Sequence, residues 1–171
     1  TYPFWSPDGR SIGFFANRKR KRVPTNGGTV QTICDAAEAR GGSWSEQGMI
    51  LFSPGPLTGL EIVPASGGTP QSLTTLEKNG ETHRLPRFLP GGKRALFLVG
   101  AADLSPGRVE CLDIESKART PVMTCRSEAR YLGTGHLAFM IDKNLVVQQF
   151  DVSSLKLSGE PVPIAESVQF N

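Results

Sequence analysis

The chain has 171 residues, 38% hydrophobic and 20% charged, a balance that supports a packed core and excludes a disordered chain. A net charge of +3 is too small to mark a nucleic-acid binder on its own. No apolar run approaches the roughly 20 residues that cross a bilayer as a helix.

With 19 Gly and 13 Pro there are turn formers enough for many short strands. The chain begins at Thr1 with no visible secretory leader, so it reads as a processed product or a piece of a longer protein. The three cysteines, Cys34, Cys111 and Cys125, match neither a disulfide framework nor a zinc spacing. They read as small apolar residues in strands, although Cys111 and Cys125 could face each other across a hairpin.

In chain order, the first unit opens with W-S-P-D-G-R-S-I-G-F-F from Trp5. The second opens with W-S-E-Q-G-M-I-L-F from Trp44, the third with F-L-P-G-G-K-R-A-L-F-L from Phe88, and the fourth with Y-L-G-T-G-H-L-A-F from Tyr131. The leading aromatics lie 39, 44 and 43 residues apart. Each is followed four positions later by a glycine (Gly9, Gly48, Gly92, Gly135), and then by Phe14, Phe52, Phe97 or Phe139. The pattern predicts a strand ending in an aromatic, a tight turn whose glycine takes a backbone angle that other residues avoid, and a short apolar strand buried on both faces. All eight aromatics are expected to be mostly buried between repeats.

A second block supports the repeat. V-P-T-N-G-G-T-V-Q from Val23 matches V-P-A-S-G-G-T-P-Q from Val63, 40 residues on, with a glycine pair turning one strand into the next. About four strands in ~40–45 residues is the content of a propeller blade. The fold class expected is therefore all-β, a β-propeller array of four-stranded antiparallel blades. The blades span about 1–38, 39–80, 81–125 and 126–166, and 167–171 could open a further one. Almost no helix is predicted; residues 35–40 could make one helical turn.

W-S-P-D-G followed by an apolar strand, and later the G-G turn, resembles the TolB-type, WD-repeat-like β-propeller repeats of bacteria. The full string occurs once, at Trp5 to Gly9. The resemblance implies an array like the C-terminal propellers of some bacterial Ser/Thr protein kinases, those beside peptidase domains, or periplasmic partners of outer-membrane lipoproteins. It also implies a bacterial extracytoplasmic location. No V-A-I-K, H-R-D or D-F-G kinase string is present.

Two loop sets are expected on one face around the channel: residues 35–42, 75–85 and 125–130, and residues 17–19, 54–59, 100–107 and 142–143. The candidate ligand-binding residues there are Arg40, Glu81, His83, Arg84 and Arg130. Arg40 and Arg84 each precede the leading aromatic by four residues, and Arg130 adjoins Tyr131. Guanidiniums ringing a channel mouth suit a carboxylate or phosphate, unless they are spent on Glu38, Glu81 and Glu128. The basic run at 18–22 reads as a solvated strand edge. No cofactor and no metal are expected.

The function expected is a binding or scaffolding module, a sensor or interaction region of a larger bacterial protein. The rival is a hydrolase-like small-molecule enzyme using Glu81, His83, Arg40 and Arg84 at the channel mouth. The partners expected are a protein or small anionic ligand at the channel face, with neither membrane insertion nor nucleic acid; the four blades are expected either to pair with a second copy that closes the ring or to be part of a longer chain.

Overall fold

A computed structural model describes residues 1–77, 80–101 and 107–168. The first four strands are β1 (Phe4–Trp5), β2 (Ser11–Ala16), β3 (Lys19–Pro24) and β4 (Gln31–Asp35). Then come β5 (Gly42–Trp44), β6 (Met49–Phe52), β7 (Glu61–Pro64) and β8 (Gln71–Ser72). The third group is β9 (Glu81–Phe88), β10 (Arg94–Ala101), β11 (Arg108–Asp113) and β12 (Arg119–Thr124). The last is β13 (Arg130–Leu132), β14 (His136–Ile141), β15 (Asn144–Asp151) and β16 (Lys156–Ala165). Each group forms one antiparallel four-stranded sheet in sequence order. Among the described residues there is no helix, and residues 35–40 carry only a turn.

The repeated glycines act as their spacing predicts. Gly9, Gly48, Gly92 and Gly135 all take positive φ, between 65° and 81°. Their amides donate to the carbonyls of Ser6, Ser45, Leu89 and Leu132 at 2.9–3.1 Å, closing the turn between the first and second strand of each sheet. In the first sheet Asp8 adds a local clamp, accepting from Ser6 Oγ (2.6 Å) and the Arg10 amide (3.0 Å).

Register confirms which residues correspond. Trp5, Trp44, Phe88 and Tyr131 stand opposite Ile12, Ile50, Ala95 and Leu137. Two residues further along the second strands, on the same face, come Phe14, Phe52, Phe97 and Phe139. Phe52 packs with Phe4, Phe15 and Ile33 of the first sheet. Phe97 packs with Leu51 and Ile62 of the second, and Phe139 with Leu96 and Val109 of the third. Burying each such ring contributes about 1.5–3 kcal/mol.

Equivalence does not bring equal burial. Phe52, Phe97 and Phe139 are buried, but Phe14 is only half-buried and Trp5 is 62% exposed. Trp44, Phe88 and Tyr131 are half-buried against the core clusters. The expectation that all eight aromatics are buried thus fails at the first sheet, because Trp5, Ile12 and Phe14 occupy the face turned away from the second sheet. Phe15, on the opposite face, fills the interface instead.

The basic run also differs from its reading. Residues 19–22 of it lie on β3, paired on both sides by β2 and β4 rather than at an edge. Lys19 bonds Asp35 (2.7 Å), and Arg22 bonds Gln31 (2.7 Å). Arg20 points inward, fully buried, with its guanidinium 4.3 Å from the Phe52 ring centroid. None of its three guanidinium nitrogens has a hydrogen-bond partner among the described residues.

Candidate functional site

The first strands of neighbouring sheets lie side by side, β1 against β5 and β5 against β9. The join is tight just before β5 and midway along β9. The Leu85 amide donates to the Arg40 carbonyl at 2.8 Å, and a Cβ on Gly41 would stand 2.9 Å from Leu85 Cα, so this close approach requires glycine. The contact sets Arg40 and Arg84 next to each other at equivalent points of two repeats.

These segments line a cavity of about 940 Å³, to which Arg40, Arg84, Arg87, Arg126 and Arg130 contribute five guanidiniums and Glu128 the single carboxylate among its lining residues. Glu128 is shared. Its Oε2 accepts from Arg87 Nε (3.0 Å) and its Oε1 from Arg130 Nη2 (2.9 Å). Arg87 is further held by the Gly42 carbonyl (2.9 Å). Burial pulls the Arg87 pKa below the usual guanidinium value, against the pull of Glu128 and with a push from Arg130.

Among the described residues, Arg40, Arg84 and Arg126 have no carboxylate partner. Arg84 Nε and Thr82 Oγ1 are buried without a hydrogen-bond partner. Both lie against Gly100, where any Cβ would collide with Arg84 Nη2. One carboxylate against five guanidiniums leaves excess positive potential in a concave, partly desolvated space, where charge-assisted hydrogen bonds to a bound anion are strong.

A second cavity, about 1120 Å³ between the first two sheets, has the opposite character: Asp35, Glu38 and Glu61 face Arg18 there.

Glu81 and His83 are placed differently from the arginines. Both lie on β9, and as alternate residues they share one face. His83 is 0% and Glu81 5% exposed. His83 Nε2 lies 2.9 Å from Glu81 Oε1, and Nδ1 lies 2.8 Å from Thr74 Oγ1, which accepts the Leu60 amide at 2.7 Å. A carboxylate only accepts, so the arrangement assigns the proton to His83 Nε2 and makes Nδ1 the acceptor of the Thr74 hydroxyl.

Arg119 closes the network. It donates to Glu81 (3.2 Å), Glu110 (2.7 Å) and Glu77 (3.0 Å). Burial lowers the His83 pKa, only partly countered by Glu81. Burial works to raise the Glu81 carboxyl, but the bonds from His83, the Glu77 amide and Arg119 bring it below its usual value. The hydroxyl–imidazole–carboxylate order is that of a nucleophile relay, yet it is sealed between the second and third sheets, where no substrate carbonyl reaches Thr74.

The structure therefore brings Arg40, Arg84 and Arg130 to one cavity and sends Glu81 and His83 into the core. Sequence reading missed Arg87 and Arg126 as cavity residues; Arg87 adjoins the leading aromatic Phe88 just as Arg130 adjoins Tyr131, a signal available in the repeat alignment. Residues 102–106 of the 100–107 loop, and 169–171 at the start of the suggested further blade, lie outside the described residues. Among the described residues, no group of three or more His, Cys, Asp or Glu is arranged to hold a metal ion. The cysteines are free and buried.

No protein-family model matches the chain, and no curated protein matches its sequence. Solved structures do match its fold. The chain is similar to the calcium-binding protein regucalcin from Agrobacterium tumefaciens, with a TM-score of 0.72 and 12% identity over 98% of this chain and 59% of that one. It is similar to TolB from Acinetobacter baumannii (0.72, 13%, 97% and 43%) and to oligogalacturonate lyase from Vibrio parahaemolyticus (0.65, 11%, 96% and 53%). At such identities the likeness is one of fold. The chain spans about half the length of these structures. The class so defined is an all-β protein of the β-propeller type, built of four-stranded antiparallel blades. Within that class, the TolB-like character suggested by W-S-P-D-G holds at the level of the fold.

Proposed function

We propose that this propeller segment is a binding module, the sensing or interaction region of a larger bacterial protein, and that it takes a carboxylate- or phosphate-bearing ligand in the arginine-lined cavity. The observation that carries this reading is the five-to-one ratio of guanidiniums to carboxylates around one space of about 940 Å³. Guanidinium is the side-chain group best matched to planar, bidentate recognition of such anions. Arg40 and Arg84 are the primary contacts, being free of carboxylates among the described residues, and Arg130 and Arg87 hold their positions through Glu128. Glu81 and His83 support the scaffold from within the core.

Isothermal titration calorimetry with citrate and pyrophosphate tests the reading. Both bind, and the double variant Arg40→Met, Arg84→Met binds at least about tenfold more weakly, as expected for losing two charge-assisted contacts. Failure of both probes to bind at low ionic strength, or equal binding by the variant, would overturn it.

A further inference from the structure

The arginine-lined cavity has two chemically different sides, and strand order separates them. All five guanidiniums stand on first strands or on the segments leading into them: Arg40 before β5, Arg84 and Arg87 on β9, Arg126 before β13 and Arg130 on β13. Second and third strands bring aliphatic side chains to the same cavity: Leu98 of β10, Ala138 and Met140 of β14, and Leu145 of β15.

Register ties the two sides together. Leu98 is the cross-strand partner of Arg84, and Ala138 that of Arg130, so each pair shares one face of its sheet. As alternate residues of β14, Ala138 and Met140 share a face, and the partner of Met140 on β15 is Leu145. Leu98 is buried, whereas Ala138, Met140 and Leu145 are half-buried and keep apolar surface on the cavity side. A small polyanion such as citrate engages the guanidiniums and leaves that surface uncovered. A volume of about 940 Å³ suits a larger occupant: sites that enclose a whole organic ligand measure about 300–1,000 Å³, with mostly apolar walls and a few polar groups that orient it.

We propose, resting on the anion-binding reading above, that the cavity takes an amphiphilic anion: a carboxylate or phosphate head on a flexible aliphatic chain. The head lies on Arg40 and Arg84, which have no carboxylate partner among the described residues, and the buried Nε of Arg84 has no hydrogen-bond partner there either. The chain lies along Leu98, Met140 and Leu145. These side chains are aliphatic, and Met140 is unbranched and polarizable, so the wall can follow a chain through more than one bend. Because Arg84 and Leu98 are register partners, the head and the start of the chain are served by adjacent side chains of one sheet.

Calorimetric titration with butyrate, hexanoate, octanoate and decanoate, below micelle-forming concentrations, tests the proposal. Affinity rises by about two- to fourfold with each added methylene, about fourfold being the value for full burial. Octanol, which has the chain without the charge, binds at least about tenfold more weakly than octanoate. The double variant Arg40→Met, Arg84→Met weakens all four acids and keeps the gradient. Met140→Gln and Leu145→Asn, which nearly preserve side-chain size, flatten it. In the native chain saturated with decanoate, nuclear Overhauser contacts join the ligand methylenes to the Met140 methyl group. An affinity independent of chain length while citrate still binds would overturn this proposal alone. Failure of citrate, pyrophosphate and every alkanoate to bind would overturn the anion-binding reading with it. The proposal also falls if octanol matches octanoate, if naphthoate binds more tightly than decanoate, or if the bound chain makes no contact with Met140.

Discussion

His83 donates from Nε2 to Glu81 Oε1 over 2.9 Å, inside the join of the second and third sheets, where solvent reaches neither side chain appreciably. The pair sets how stability responds to acid. Burial lowers the His83 pKa, so the folded state favours the neutral ring relative to an unfolded chain at 6.5. That contribution is complete above pH 6.5 and is lost as pH falls below it. Glu81 and Glu110 are held below the ordinary glutamate value of 4.5, so their contribution is present above pH 4.5 and also fades on acidification. The urea midpoint therefore drops from pH 7 to pH 5 and drops further below 4.5, and His83→Gln flattens the upper part of the profile. A midpoint constant between pH 7 and 5 would contradict the neutral assignment.

Phe52 and Phe14 are register equivalents with different surroundings. Phe52→Ala empties a fully buried site and costs about 3–5 kcal/mol. Phe14→Ala, on the outer face, costs about 1 kcal/mol in the isolated chain, within the range for a partly exposed residue. Equal costs by urea denaturation would show that the outer face is packed.

Arg20 corresponds to Leu60 in the next repeat, 40 residues on, and burial brings its pKa to about 10, with only Cys34 pulling the other way. A buried guanidinium without acceptors is costly, and an apolar residue in its place is often stabilising. Arg20→Leu should raise the unfolding free energy by about 1–3 kcal/mol. A loss of stability in urea would reveal an acceptor for the guanidinium.

Glu128 occupies the guanidiniums of Arg87 and Arg130, which the proposed anion would otherwise engage. Glu128→Ala lowers thermal stability in ligand-free buffer, yet citrate raises the melting temperature of the variant more than that of the native chain. Its affinity for citrate increases about tenfold, with a steeper dependence on salt. An affinity unchanged or reduced on calorimetric titration would place the ligand elsewhere.

The turns were legible because their chemistry is local. Each glycine sits three residues after the carbonyl it bonds, and four copies of one spacing leave little ambiguity. The apolar second strands were legible for the same reason. Arg20 was not, because five consecutive basic residues read as solvated, and only strand alternation within a paired sheet turns one of them into the core. His83 was misread because a long stretch after Leu73 looks like loop, whereas E-T-H begins β9 and puts Glu81 and His83 on one side of it. Trp5 was misread because a repeat specifies the face a residue occupies and says nothing of what stands opposite.

Because every sheet is a meander of four consecutive strands, all of its ladder pairings are local in sequence. Only the joins between sheets connect distant segments, and each of them reaches just one neighbour. Such a chain has no single nucleus on which the rest must wait. Amide hydrogen exchange should grade along the array, slowest in β6, β7, β10 and β11, which are flanked on both sides, and fastest in β1 and β16. Loosening thus spreads inward from the first and fourth sheets one sheet at a time, and the two central sheets are the last to open.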